Sequence, residues 1–225
     1  QKIPDLVRAS AKHRPKGFRE VRPFPKDLRA AHGFDNQSDQ LTLSPLLLDS
    51  FLKLSVSILQ SPDFNEQTVG IWKEFFAAPQ NPVDLEKEIR QRLNPFLNLA
   101  FRSKVEEEVV DRYVRYAHVH VKSEESFPIG MKKVASAILS SPLFLFRHEI
   151  VYKDDPYALA SCLSYSLWGS CPDSELLKAA EDGKLANPKH LADIVDTMLK
   201  DPKIERFLDS FPSQWMQLEN ALAAT

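Results

Sequence analysis

Residues 155–185 read DPYALASCLSYSLWGSCPDSELLKAAEDGKL, and this stretch decides the fold class. Asp155 and the proline after it together form a helix start signal. The carboxylate can accept hydrogen bonds from the free backbone N–H groups of the first turn, and proline is well suited to that turn. Gly169 can adopt the left-handed conformation in which many helices end. Asp173 then caps a second segment that stops before Gly183. The stretch therefore predicts a helix, a short turn and a second helix.

The same start signal occurs on both sides of this stretch. NPKHLADIVDTMLKD (187–201) begins with Asn187 as the cap, again followed by proline. SPLLLDSFLKLSVSIL (44–59) begins with Ser44 and proline and continues with leucines at helical spacing. A cap before an apolar periodic pattern is the usual mark of a helix N-terminus. We therefore predict helices over 44–59 and from 188 onwards.

Aromatic residues near the end of the chain predict a buried helix face. Phe207, Phe211 and Trp215 are spaced four apart, so they lie on one side of a helix. We expect all three to be buried against the helix that carries Tyr165 and Trp168. We interpret those two residues as core aromatics, and the alternative is a surface that stacks on a sugar or on haem.

The middle of the chain is also helical by pattern. Pro95 stands inside a helical pattern and is expected to kink or split it near Asn94. Only AHVHV (117–121) alternates like a strand. Because it is short and lies within a longer helical pattern, we predict a helix there. The predicted apolar face of that helix consists of Val105, Val109, Tyr113 and Tyr116. The fold class is all-α: a single irregular multi-helix bundle with an extended N-terminal arm.

Composition narrows the class of protein. The 225 residues are 43% hydrophobic, which is enough for a sizeable core, and the net charge of −2 argues against a general nucleic-acid binder. No apolar run reaches the 18 or so residues of a membrane span. We divide the chain into a basic, proline-rich arm (1–29), a first helical half (30–152) and a second helical half (153–225), with the halves packed as one unit.

Two cysteines, Cys162 and Cys171, are the only ones in the chain, and they form no CxxC or CxxCH motif. The chain therefore cannot attach a c-type haem by itself. Cys162 is expected about 9 Å below the end of its helix, at a rise of 1.5 Å per residue. Because CPD (171–173) looks like the start of the next helix, we predict two unpaired thiols with Cys162 buried. The alternative is a disulfide.

AHGFDN (31–36) has the composition of an active-site loop. His32 could act as a general base, with Asp35 orienting its imidazole ring. The alternative, which we favour, is a tight turn in which Gly33 takes a positive φ and Asp35 bonds to its own backbone. His32 and Asp35 are nonetheless two of our four candidate catalytic residues.

Two arginines complete the set of candidates. Arg102 and Arg147 could bind an anionic group with two parallel hydrogen bonds. The alternative is packing against aromatic residues with a carboxylate partner, which is the commoner use of such arginines. Both lie in segments that also contain phenylalanine. We predict no cofactor site.

Two stretches contain metal-ligand types without a metal-binding pattern. DNQSD (35–39) offers oxygen ligands for Ca²⁺ but lacks the glycine and the glutamate of an EF-hand loop. His118 and His120 would share a face of a strand, whereas on a helix they diverge by about 200°. We predict no metal site.

Four blocks, taken in order, resemble large planctomycete proteins of unknown function. They are AHGFDN with LTLSPLLLDSFL, LNPFLNLAFRSKVEEEVVDRYV, KKVASAILSSPLFLFRHE, and the segment from YALASC to FPSQW. The resemblance covers about residues 30–218. The sequence departs from the pattern at Ser103 and Lys104, where Arg-Pro is usual, and at both cysteines.

The resemblance implies an exported protein, periplasmic or at the cell surface. Such proteins often carry a c-type cytochrome domain ahead of these blocks, so haem is expected on a partner or on a domain absent here. We accordingly expect a fragment, a processed product or a shortened relative. The hypothesis is a non-catalytic interaction or scaffold module with a protein partner, in a redox-associated assembly. The alternative is an enzyme or electron-transfer accessory that acts on carbohydrate or another exported substrate.

Overall fold

The protein is all-α, as predicted. A computed structural model of the chain describes residues 45–80, 84–124, 126–146 and 155–216, and these residues contain no strand. The arm, the predicted Ser44 cap and the His32 loop lie outside these ranges. The helices are α1 (Pro45–Leu59), α2 (Leu85–Phe101), α3 (Glu107–Ser123), α4 (Phe127–Leu139), α5 (Pro142–Leu145), α6 (Pro156–Trp168), α7 (Ser174–Glu181), α8 (Pro188–Lys200) and α9 (Glu205–Trp215).

Three single turns connect these helices: a π-helical turn, Trp72–Phe76, and two 3₁₀ turns, Lys184–Ala186 and Pro202–Ile204. The described residues fall into two compact units. Unit one contains those between 45 and 96 and between 106 and 145, and unit two contains 97–105 and those from 146 onwards. The division we predicted at residues 152 and 153 stays a prediction.

The core of unit one is built from α1, the first part of α2, α3 and α4. Its fully buried side chains include Ile89, Leu93, Val110, Val114, Met131, Val134 and Ile138. Arg92 ties the π-helical turn to α2, because its guanidinium donates to the carbonyl of Phe75 at 3.3 Å and pairs with Glu88 at 2.8 Å. The same guanidinium lies 5.1 Å from the ring centre of Phe127 on α4.

Two expectations for unit one were wrong. Of the kink or split expected at Pro95, the split is wrong, because α2 runs as one helix from Leu85 to Phe101. Pro95 is exposed, so its ring and its missing N–H face water rather than the core. The buried face of α3 consists of Val110, Val114 and Ala117, whereas Tyr116 is 41% exposed. Small and β-branched side chains on that face let α4 approach closely.

Gly130 marks the point at which α3 and α4 meet. A Cβ atom placed on Gly130 would lie 2.7 Å from the Cα atom of Val121 and 2.8 Å from its amide nitrogen. Distances this short between non-bonded heavy atoms require the backbone to move. Gly130 is therefore required by the packing of the two helices, although glycine inside a helix is otherwise unfavourable.

Replacing Gly130 by alanine is expected to destabilise the protein. Overpacking costs about 1–3 kcal/mol and outweighs the gain of about 1 kcal/mol in helix propensity. Urea unfolding measures the difference. Gly70→Ala is the matched control, because a Cβ atom added to Gly70 would meet no other atom within 4 Å and no positive φ is involved. Equal midpoints for the two variants would contradict this account of the α3–α4 contact.

The helix boundaries of unit two follow the predicted signals. The carboxylate of Asp155 accepts from the Tyr157 amide at 2.9 Å, and that of Asp173 accepts from Leu176 at 2.9 Å. The Asn187 side chain accepts from two amides at the start of α8. Gly169 and Gly183 have φ values of 57° and 70°, which is the left-handed conformation expected of them.

The cysteines are free, as predicted, but Cys162 is exposed rather than buried. Helix α6 turns Ala160, Ser161 and Ser164 towards the core, and Cys162 lies on another side of the helix. The apolar character of α6 extends around most of its circumference, so the sequence alone did not identify its buried face. The Cys171 sulfur lies 3.0 Å from the hydroxyl of Tyr165.

Because both thiols are free and exposed, we expect two reactive groups per chain in the native, unreduced protein, without denaturant. Titration with a thiol-specific chromogenic disulfide measures this number. Cys162→Ser should leave one reactive group and Cys171→Ser should also leave one. Thiols that react only after unfolding would contradict the exposed placement.

Candidate functional site

Trp168, at the end of α6, is the centre of unit two. Its side chain is buried, and its indole nitrogen donates to the Met198 carbonyl on α8 at 3.1 Å. The ammonium of Lys203 lies 3.9 Å from the centre of the ring. The Arg206 guanidinium, on α9, donates to the Trp168 carbonyl at 3.1 Å. Trp168 thus fixes the positions of α8, the second 3₁₀ turn and α9 relative to α6.

A cleft of about 310 Å³ opens beside Trp168, between α7 and α8. Its apolar lining comes from Trp168, Leu176, Ala179, Ile194 and Met198. The polar lining residues are Asp173, Glu175, Lys184, Asp193 and Thr197. The size is at the lower end of pockets that hold small molecules. An apolar lining with a few charged groups is also the usual composition of such pockets.

Within the described part of the chain, some charged side chains around the cleft have an ion-pair or hydrogen-bond partner, and others do not. The Lys184 ammonium donates to Asp182 at 2.9 Å, and this bond holds the pKa of the Asp182 carboxyl below its usual value. Asp173 caps α7 and also faces Lys203 at 3.6 Å. The carboxylates of Glu175 and Asp193 are exposed and have no ion-pair or hydrogen-bond partner among the described residues. These two carboxylates are therefore the ones open to an incoming group.

A second surface lies on α9. What we call the α9 apolar face consists of Phe207, Leu208, Phe211 and Trp215 on the helix and Met216 at its C-cap. The rings of Phe207 and Phe211 stack at 5.0 Å, and those of Phe211 and Trp215 at 6.0 Å. Trp215 is nevertheless 70% exposed and Phe211 38% exposed. The predicted burial of this stripe was wrong, although α9 does contact α6 as expected.

The physical reason is the side of α9 that faces α6. Arg206 makes the contact. Two of its side-chain carbons lie 3.8 Å from the position that a Cβ atom on Gly169 would take, and its guanidinium donates to the Trp168 carbonyl. The aromatic residues lie on another side of the helix and stack on one another along its axis. The aromatic spacing therefore predicted correctly that these residues share one face of α9. It did not predict that this face is exposed.

Of the four candidate catalytic residues, only Arg102 lies within the described ranges. It is buried, follows the last residue of α2, and has a φ of 56°, which is rare for a residue with a side chain. Its guanidinium donates to the carbonyls of Ala100 at 3.2 Å and Phe146 at 2.8 Å. His32, Asp35 and Arg147 lie outside the described ranges, so the catalytic assignment stays a prediction.

His118 and His120 lie on α3, where their side chains diverge. The His120 ring packs edge-on against Tyr116 at 4.4 Å. Across the described ranges, no three side chains of histidine, cysteine, aspartate or glutamate are grouped closely enough to hold a metal ion. None of the described helices combines the length and the apolar character that crossing a membrane requires.

Sequence reasoning missed the cleft. The signal available was the apolar pattern Leu191, Ile194 and Met198 on α8, with Asp193 beside it. That pattern indicates a buried helix face, but it does not show that α7 leaves a gap above it. Glu175 and Asp193 line the same cleft only because of how the two helices are placed.

Three protein-family models match the chain. They are PSD3, described as a protein of unknown function (DUF1587), over residues 5–61; PSD5, described in the same way (DUF1595), over 88–149; and PSD4 (DUF1592), over 154–225. The chain therefore consists largely of three domains of unknown function, which agrees with the expected family of uncharacterised proteins. Searches of curated proteins and of solved structures found no match to the chain.

Arg102 provides a test of whether its left-handed backbone is strained. Arg102→Ala removes the donors to one buried and one partly buried carbonyl, those of Ala100 and Phe146, and should cost about 1–3 kcal/mol of unfolding free energy. Arg102→Gly removes the same donors but relieves the left-handed strain of a side chain, which is about 1 kcal/mol. Urea unfolding should therefore rank wild type above Gly, and Gly above Ala. An alanine variant as stable as the glycine variant would contradict the strain.

Proposed function

We propose that this chain is a non-catalytic helical interaction module that docks onto a protein partner through the α9 apolar face. The observation that carries the proposal is the exposure of Leu208, Phe211 and Trp215 along α9 and of Met216 at its C-cap. Monomeric proteins rarely leave large adjoining apolar side chains in water, and exposed patches of this kind mark interaction sites. Tryptophan, phenylalanine and methionine are also enriched at the centres of protein interfaces.

The spacing of these residues fits one mode of recognition. Anchors three, four and seven positions apart, as between Leu208, Phe211 and Trp215, are how an amphipathic helix enters an apolar groove. The expected partner therefore presents a groove about as long as α9. Glu205 and Asp209 are exposed on the same helix, so the rim of that groove should be basic, and association should slow as salt is raised.

We further propose that the module acts in an exported assembly, in the periplasm or at the cell surface, with c-type haem on another protein or domain. This part of the proposal depends on the resemblance of the four ordered sequence blocks alone. The enzyme alternative stays a hypothesis, since it depends on His32, Asp35 and Arg147.

Photo-crosslinking in cells of the native source tests the proposal. Benzoylphenylalanine at position 211 should capture a protein in the periplasmic or surface fraction, because this position lies at the centre of the α9 apolar face. The same group at position 196, an exposed polar position on α8 rather than on α9, is the control and should capture none. Mass spectrometry identifies the captured protein, which is then purified for titration.

Titration with that purified protein measures the binding affinity of each variant. Trp215→Ser should weaken binding at least about tenfold, because buried aromatic anchors contribute most of the energy of an interface. Asp209→Asn should change the affinity by less than about twofold, as expected for a charge at the rim. No crosslink at position 211, or equal binding by the Trp215 variant, would overturn the proposal.

A further inference from the structure

The cleft between α7 and α8 differs from the α9 apolar face in kind. It is concave, whereas the face on α9 is an open strip along a helix. Its lining has three carboxylates, Asp173, Glu175 and Asp193, and one ammonium, Lys184. The apolar part of the lining is contributed by both helices and by the Trp168 ring. Concavity, an apolar floor and an excess of one charge occur together here.

The lysines in and beside the cleft already have carboxylate partners. The charges that a ligand would meet at the entrance are therefore negative. Lys184 is held by Asp182, which does not line the cleft. Lys203 also lies outside the lining, and its ammonium is already placed over Trp168 and beside Asp173. Glu175 and Asp193 remain open on the two helices that bound the cleft. An anion entering this cleft would meet carboxylates from both sides.

From this geometry we propose that the cleft binds a small organic cation: a primary amine carried on an apolar stem. The stem lies on Leu176, Ala179 and Ile194, where it removes apolar surface from water. The ammonium group reaches Glu175 and Asp193, where each carboxylate accepts a charge-assisted hydrogen bond. This site is separate from the α9 apolar face and does not depend on the function proposed for it.

The position of Lys203 supports the choice of an amine. Its ammonium, on an alkyl stem, packs on Trp168 with Asp173 as the counter-charge. The protein itself therefore stabilises this chemical group beside the cleft, by attraction to an aromatic face and to a carboxylate. A neutral ligand of the same shape would bury the same stem but would leave Glu175 and Asp193 without a partner.

Titration of the full chain with phenethylamine tests the proposal, with phenethyl alcohol and phenylacetate as neutral and anionic controls of similar shape. The indole N–H resonance of Trp168 is the readout, because that group is bonded to Met198 beside the cleft. We expect phenethylamine to shift this resonance with saturation. Phenethyl alcohol should bind about tenfold more weakly, as the loss of two exposed ion pairs implies. Phenylacetate should not saturate.

Matched variants locate the cation. Asp193→Asn should weaken phenethylamine binding about threefold, and the double variant Glu175→Gln with Asp193→Asn about tenfold. Asp196→Asn is the control, since Asp196 lies on the same helix and pairs with Lys200 outside the cleft. It should bind as wild type does. Equal affinity for amine and alcohol, or variants that bind like wild type, would overturn the proposal. So would a Trp168 resonance that does not move.

Discussion

The hydrogen bond from the Trp168 indole to the Met198 carbonyl is the contact on which unit two depends. A buried indole N–H needs an acceptor, because leaving it unpaired away from water costs free energy. Here the acceptor lies near the end of α8, so α8 must pass close to the last turn of α6. The carbonyl of the same tryptophan accepts from Arg206, which places α9. One residue therefore sets the positions of three elements.

The cleft is a consequence of that arrangement. With α8 held against Trp168, and α7 held by its own cap at Asp173, the space between the two helices is bounded by Leu176 and Ala179 on one side and by Ile194 on the other. Core residues that pack with its apolar lining, including Ala160, Ala180 and Leu185, are buried. The carboxylates of Glu175 and Asp193 at its rim are exposed to water.

Unit one is held together by different contacts. Its helices α3 and α4 approach so closely at Gly130 that no side chain fits, and Arg92 connects the π-helical turn to two helices by hydrogen bonds and by contact with an aromatic ring. Unit one also exposes large apolar side chains, among them Leu46 and Val119 at 62% each. Both proposed binding surfaces lie within residues 154–225, the part of the chain that matches PSD4.

In unit two, the sequence by itself determined where helices begin and end. Asp155, Asp173 and Asn187 cap helices as their positions predicted, and Gly169 and Gly183 end them in the left-handed conformation, because capping and positive φ are local properties of a few residues. Tertiary structure alone decided which side of each helix is buried. Cys162 and Trp215 are exposed against expectation because burial depends on neighbours that are distant in sequence. The open carboxylates of Glu175 and Asp193 share a cleft for the same reason.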